Sequence, residues 1–315
     1  MSEVTATTFP ARRRRQMTRD RLLTQASFHL MLLPAVGLLI VFSYFPLYGV
    51  LLAFKRYHPL SGILGSEWVG LANFARLFQS NDMGRIMFNT VYISVMKIVA
   101  GIVVPVTFAL LLNEMKNRSF VRSVQTVVYM PHFLSWVIMS GIVLEILSPS
   151  GGLVNNLLGL FGVEPIYFLG EANLFPYILV ATDTWKSFGF GTIIYLAALT
   201  SIDPALYEAA IVDGASHMQQ VRFITLPGIA GIVVLMTVLS LGNLLNAGFD
   251  QVFNLINPQV FRTGEIIDLT VYRIGIRQAN FAVATAVGLI KSTIGFVLIV
   301  VSYRLADRYA GYRIF

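Results

Sequence analysis

The chain contains no cysteine, which removes disulfides, thiolate catalysis and Cys-ligated metal from consideration. It says little about compartment, because a membrane protein needs no disulfide to fold. Charge is scarce: only 12% of the 315 residues are Asp, Glu, Lys or Arg, while 56% are hydrophobic. The histidines, His29, His58, His132 and His217, are scattered without metal-ligand spacing such as His-x-x-x-His. There is no Gly-x-x-x-x-Gly-Lys-Ser/Thr loop, so no phosphate cradle of that kind. No catalytic cluster stands out, and no stretch between apolar runs is long enough for a separate soluble domain. With little charge and so much apolar sequence, what remains is an all-α polytopic membrane protein.

Six apolar runs reach the length of about 20 residues that a bilayer requires. They cover roughly 28–54, 86–112, 124–147, 174–199, 228–248 and 282–304. The first is too long for a cleavable signal and lacks a small-residue cleavage site. Gly242, Asn243, Asn246 and Gly248 interrupt the outer end of the fifth, where small residues allow close packing or open backbone toward a polar cavity. Lysine and arginine set the orientation. Thirteen lie on the side of the N-terminal tail, the second and fourth loops and the C-terminal tail, against seven on the other. Both termini are therefore expected in the cytoplasm, with Arg12 to Arg15 as a topogenic anchor. Residues 1–27 read as a basic tail, 28–304 as the six-helix domain and 305–315 as a second tail. The net charge of +7 argues for anionic lipid as a partner, not nucleic acid.

Polar residues within the runs come next, because a lysine at the bilayer centre costs about 2.5–3.5 kcal/mol. Lys97, Lys186 and Lys291 each lie some ten to twelve residues from the outer end of their run, which points to one polar layer near the midplane. Asp183, a turn before Lys186, is placed to pair with it; Asn89, Thr90, Asn243 and Asn246 extend the layer. A water-filled substrate cavity and structural pairing between helices both fit these residues. Trp136, Trp185, Phe188 and Tyr195 fall on candidate cavity helices. Aromatic faces mixed with amides and charges suit a sugar, although aromatics also serve as packing and interface anchors in any membrane helix.

Between the fourth and fifth runs, about residues 200–227, lies a polar, Gly-broken segment. Asp203-Pro204 opens a helix, with Asp203 as N-cap and Pro204 at N1. Ala209 and Ala210 form a small surface that another protein can approach closely. Glu208 and Asp213 offer fixed acceptors, and Gly214 permits a sharp turn. A second short amphipathic helix carries Met218, Val221, Phe223 and Ile224. Chemistry alone leaves this open between a docking loop and an ordinary loop helix.

The pattern Glu208-Ala209-Ala210-x-x-x-Gly214, followed by Ile224-Thr-Leu-Pro227, resembles the coupling loop of binding-protein-dependent ABC transporter permeases. Phe45-Pro46-Leu-Tyr48, Val69-Gly70-Leu-Ala-Asn-Phe74, Tyr129-Met-Pro131-His-Phe133-Leu-Ser-Trp136 and Asp183-Thr-Trp185-Lys186 are similar to the carbohydrate-uptake branch of that family. So are Gly242-Asn243-Leu-Leu-Asn246, Gly248-Phe-Asp-Gln251 and Lys291-Ser292, and the likeness covers nearly the whole chain from about residue 28. The resemblance implies a bacterial inner-membrane permease subunit that imports an oligosaccharide by alternating access. It implies as partners a second, related permease, two copies of a cytoplasmic ATPase that hold ATP and Mg, and an extracytoplasmic solute-binding protein. This chain would itself bind no cofactor and be no enzyme. Three lysines facing a cavity would suit an acidic glycan such as an alginate fragment. An ABC permease for peptides or amino acids, and an ion-coupled secondary transporter, are the competing readings.

Overall fold

The computed structural model describes residues 19–79 and 81–310; the Arg12–Arg15 run and the last five residues lie outside them. The chain divides into residues 1–51 and residues 52–315. In the first unit, α1 (Arg19–Leu39) contains Pro34 and passes into a wide π turn, Ile40–Tyr44, followed by a tighter 3-10 stretch from Phe45. The continuous helical segment Gln25–Phe54 is long and apolar enough to cross a bilayer.

The second unit opens with a small folded loop. Strands β1 (Lys55–Arg56) and β2 (Glu67–Trp68) pair antiparallel, with Lys55 opposite Trp68. Lys55 donates to the carbonyls of Ile63 and Leu64, and the buried Asn73 amide donates to those of Ala53 and Lys55. Helices follow: α2 (Asn81–Glu114), α3 (Arg118–Tyr129), α4 (Trp136–Ile146), α5 (Phe175–Thr200), α6 (Pro204–Val212) and α7 (His217–Leu241). Then come the short α8 (Phe249–Leu255) and α9 (Ile267–Tyr272), and the long α10 (Phe281–Ala310).

Helix α2 is the mast of this unit. One buried cluster joins its Ile93 to Val143, Phe175, Leu179 and Val252; a second joins its Ile86 to Ile267, Ala286 and Val287. A third joins its Ala109 to Tyr195, Leu199 and Ile229. Its closest companion is α5, and Pro105 lies within its length. Val95, Val99 and Val103 form an exposed apolar strip on one α2 face, a spacing of about one helical turn. A stripe of that kind suits lipid or a second membrane subunit, where backbone is already satisfied within the helix.

Two apolar runs differ from straight expected spans, each for a local reason. The third, expected over 124–147, is broken: the segments Arg118–Phe133 and Trp136–Ile146 meet at 107°. Pro131 starts a 3-10 turn, Leu134 is extended, and the Ser135 hydroxyl caps α4 by accepting from the Ile138 amide at 3.3 Å. The fifth run starts earlier and ends sooner than the expected 228–248. Its helix begins at His217 and stays continuous past Pro227 because a π turn at Val221–Thr225 precedes the proline, which has no N–H for a normal helical bond. It stops at Leu241, and the chain runs non-helically to Gly248, whose φ is +92°. The fourth run ends at Thr200 and turns by 66° into α6. Four helical segments among the described residues therefore meet the length and hydropathy of a span, and six do so if each bent pair counts as one.

Candidate functional site

The segment between α5 and α7 is organised by its caps. Asp203 has extended backbone and its carboxylate accepts from the Ala205 amide at 2.9 Å, while Pro204 occupies the first helical position. At the other end Gly214 takes φ +76°, and two reverse bonds close the helix. The Gly214 amide donates to Ile211 O at 3.1 Å and the Ala215 amide to Ala210 O at 2.9 Å. This is the Schellman arrangement, which needs a left-handed residue at the Gly214 position. Ser216 and Gln219 then form a reciprocal capping box that starts α7 at once. The result is a stiff elbow that presents Glu208, Ala209 and Asp213 on its exposed side, with Ala210 half-buried. Ile211, Val212, Met218 and Phe223 are exposed beside them, Val212 to 87%. Apolar side chains raised this far on a charged elbow are of the kind that partner proteins cover.

A second site lies where α2, α5 and the non-helical 242–248 segment meet. A cavity of about 260 Å³ is lined by Ser94, Lys97, Gly101, Asp183, Asn243 and Asn246 among others. The Lys97 ammonium reaches three acceptors at its wall: Ala247 O at 2.8 Å, the Asp183 carboxylate at 3.5 Å, and the Gln251 amide oxygen. Gln251 is fully buried and donates to Leu179 O and to the Thr182 hydroxyl. The Ala247 carbonyl is left without a helical partner by the break in the fifth run, and Lys97 satisfies it. Asp183 and both asparagines face the cavity, and the buried Ser94 hydroxyl has no partner among the described residues. The wall that a solute would meet is thus rich in hydroxyl, amide and carboxylate groups.

The three lysines have separate partners, and of them only Lys97 lines this cavity. Asp183 pairs with Lys97 on the neighbouring helix, not with Lys186 a turn away on its own. Lys186 instead donates to His132 O at 2.7 Å, a carbonyl exposed by the break in the third run, and lies 5.7 Å from the Trp136 ring centre. The His132 ring stacks on Phe190 at 4.1 Å. Among the described residues no carboxylate lies within ion-pair distance of Lys186. Lys291 pairs with Asp268 on α9, outside the Lys97 cavity.

Other expected cavity residues are structural. The Asn89 amide donates to Arg262 O and Glu265 O, and the Thr90 hydroxyl accepts from the Ile267 amide, so both hold the loop before α9. Tyr195 is buried in the third core cluster and Phe188 packs edge-on against Phe108. Trp185 lines a separate apolar cavity of about 250 Å³ with Val143, Ile146 and Leu147. Sequence reasoning missed Gln251 as the hub behind Lys97, although Gly248-Phe-Asp-Gln251 was visible as a motif. It also missed Asp268, which lies outside the apolar runs and gave no signal of its own.

A stiff exposed elbow, a polar cavity set well along the bundle from it, and several helices long and apolar enough to cross a bilayer are together the features of a membrane transport component. Residues 98–311 match the family described as binding-protein-dependent transport system inner membrane component, and the chain belongs to that family. It is 40% identical over 289 residues to the polygalacturonan/rhamnogalacturonan transport system permease protein YteP of Bacillus subtilis (strain 168), covering 92% of this chain and 90% of that one. The protein LplB of the same organism is 37% identical over 281 residues, covering 89% and 88%. Among solved structures, a bacterial alginate ABC transporter in complex with an alginate pentasaccharide-bound periplasmic protein contains a chain that superposes with a TM-score of 0.86 at 34% identity. That match covers 95% of this chain and all of the other.

Proposed function

We propose that this protein is the multi-pass permease subunit of an ATP-driven importer that brings an acidic oligosaccharide into the cytoplasm. The observation that carries this is the polar cavity walled by Ser94, Asp183, Asn243 and Asn246 where the fifth run breaks, in a chain similar to permeases of acidic polysaccharide fragments. Hydroxyl and amide groups replace the water that a sugar sheds, and near Lys186 Trp136 offers an apolar face.

In this reading six spans place both termini and the α6 elbow in the cytoplasm. Two ATPase subunits hold ATP and Mg, and one of them receives Glu208, Ala209, Ala210, Asp213 and Gly214 in a groove. A second, related permease completes the pathway, and a solute-binding protein delivers the glycan to the outer loops. Closing of the ATPases pushes the elbow, the helices rock, and the cavity opens to alternate sides. Lys97, Asp183, Asn243 and Asn246 shape the solute's passage, with Trp136 and Lys186 as a neighbouring station. Lys186, lacking a carboxylate partner, is the cation best placed to meet a uronate.

The test is ATP hydrolysis by the complex purified with its co-expressed partners and binding protein, against neutral and acidic oligosaccharides, amino acids and peptides. Stimulation by a uronate oligosaccharide, lost with Glu208→Ala, is the expected result. Stimulation by amino acids or peptides alone would reassign the substrate class, and failure of any ATPase to co-purify would remove the docking-loop reading.

A further inference from the structure

Two ionisable groups face each other at the base of the bundle, away from the cavity and outside the docking motif. Glu114 is the last residue of α2 and His217 the first of α7; their Oε2 and Nε2 atoms are 2.9 Å apart. Each stands at the wrong end of its helix. A carboxylate at a C-terminus meets the negative end of the helix dipole, and a protonated imidazole at an N-terminus meets the positive end. Nor is His217 needed to cap α7, since Ser216 and Gln219 already do so. The pair makes physical sense as a contact between helices, and neutral imidazole keeps it by donating its Nε2–H to the carboxylate.

The surroundings give the contact a direction. On one side, the Tyr207 hydroxyl of α6 bonds the Thr225 hydroxyl of α7 at 2.9 Å, so elbow and α7 move as one piece. The Schellman turn at Gly214 and the capping box at Ser216 leave no slack between α6 and His217. On the other side, α2 runs from Glu114 back to Lys97, seventeen residues or about 25 Å at 1.5 Å per residue. Between α2 and the elbow lies a cavity of about 450 Å³, lined by Asn113, Tyr207, Gln220 and Thr225. Glu114 and His217, 41% and 63% exposed, also line that cavity, and their contact joins its two walls.

We propose that the Glu114–His217 pair is a latch that passes displacement of the docking elbow to α2, and through α2 to the Lys97 cavity. Both are positioning residues and touch no solute. The inference rests on the docking reading given above for Glu208–Gly214.

The chain's lack of cysteine allows a direct test. Cysteines replacing Ile98 on α2 and Asn243 after α7 carry spin labels, in the full complex with its partner permease and ATPases. The change in their separation between the nucleotide-free and the ATP–vanadate-trapped states is measured, a readout that needs no knowledge of the sugar. Glu114→Ala and His217→Ala should each lose the nucleotide-driven change while still trapping vanadate. The exchanged pair, Glu114→His with His217→Glu, should restore it, because the contact is kept and each charge now suits its helix end. A purely structural role would show instead as lost assembly or lost vanadate trapping in the single variants. The latch is overturned if the single variants keep the full change, or if the exchanged pair is as defective as they are. Should a single variant fail to assemble, the exchanged pair decides alone. Glu208→Ala serves as reference: if it too keeps the change, the docking reading fails; if only it loses the change, the latch alone is wrong.

Discussion

Replacing Lys97 by methionine keeps the length and shape of the side chain while deleting its ammonium. Three acceptors then lose their donor: Ala247 O, the Gln251 amide oxygen and the Asp183 carboxylate. A buried acceptor left unpaired costs about 1–3 kcal/mol, and stranding one member of a buried charge pair about 3–5 kcal/mol. Asp183 is 31% exposed on the cavity side, so water relieves its share and the lower part of that range applies. The expected net loss is about 3 kcal/mol, roughly a hundredfold in a two-state equilibrium. Asp183→Asn should lose less, since Lys97 keeps two of its acceptors. The double variant should lose less than the sum, because removing the carboxylate relieves the stranded charge. Thermal unfolding of the solubilised complex reads stability, and uptake into proteoliposomes of an oligosaccharide that stimulates its ATP hydrolysis reads transport. If Lys97→Met unfolds like the parent while uptake collapses, Lys97 is a solute ligand and its role as a pin for the 242–248 segment is refuted.

Gly214 has φ +76° with open space where a Cβ would stand, so backbone strain alone should rank its variants. Gly214→Asn should retain most ATPase-coupled uptake, and Gly214→Val should lose most of it; equal activity of the two would contradict the Schellman assignment. A Cβ on Gly189 would come within 2.4 Å of Val128 O, so Gly189→Leu must separate α3 from α5. A marked fall in complex yield and unfolding temperature is expected, and a well-assembled variant would show that the contact can relax. Lys186→Gln should slow uptake of a uronate oligosaccharide more than uptake of a neutral oligosaccharide of the same length, if the complex accepts one. An equal loss for both would place the carboxylate reader elsewhere.

The turn between α5 and α7 was legible in the sequence because its signals are local. Asp203-Pro204 names a helix start, and Gly214 before Ser216 names a stop and restart, each within a few residues. The buried lysines were legible as anomalies but not as partners. Lys97 meets Asp183 and Gln251 from distant parts of the chain, while the spacing of Asp183 and Lys186 favoured a pairing that does not form. The reason is the broken helices: each leaves carbonyls without donors, and Lys97 and Lys186 each reach one of them. Where a run of apolar residues breaks is partly written, in Pro131 and in Gly242–Gly248. Which side chain answers the break depends on packing that no local pattern encodes. Asn89 illustrates the same limit, since a polar residue near the outer end of a run read as cavity lining and proved to be a clamp on the loop before α9.

Pro105 removes from α2 the amide that would have bonded the carbonyl four residues earlier, that of Gly101, and Gly101 lines the Lys97 cavity. The proline thus leaves a main-chain carbonyl at the cavity residue Gly101 without its ordinary helical donor. Such a group is invisible to side-chain scanning, because every substitution at position 101 keeps the same oxygen. It is erased from a distance, by any residue at position 105 that gives the amide back.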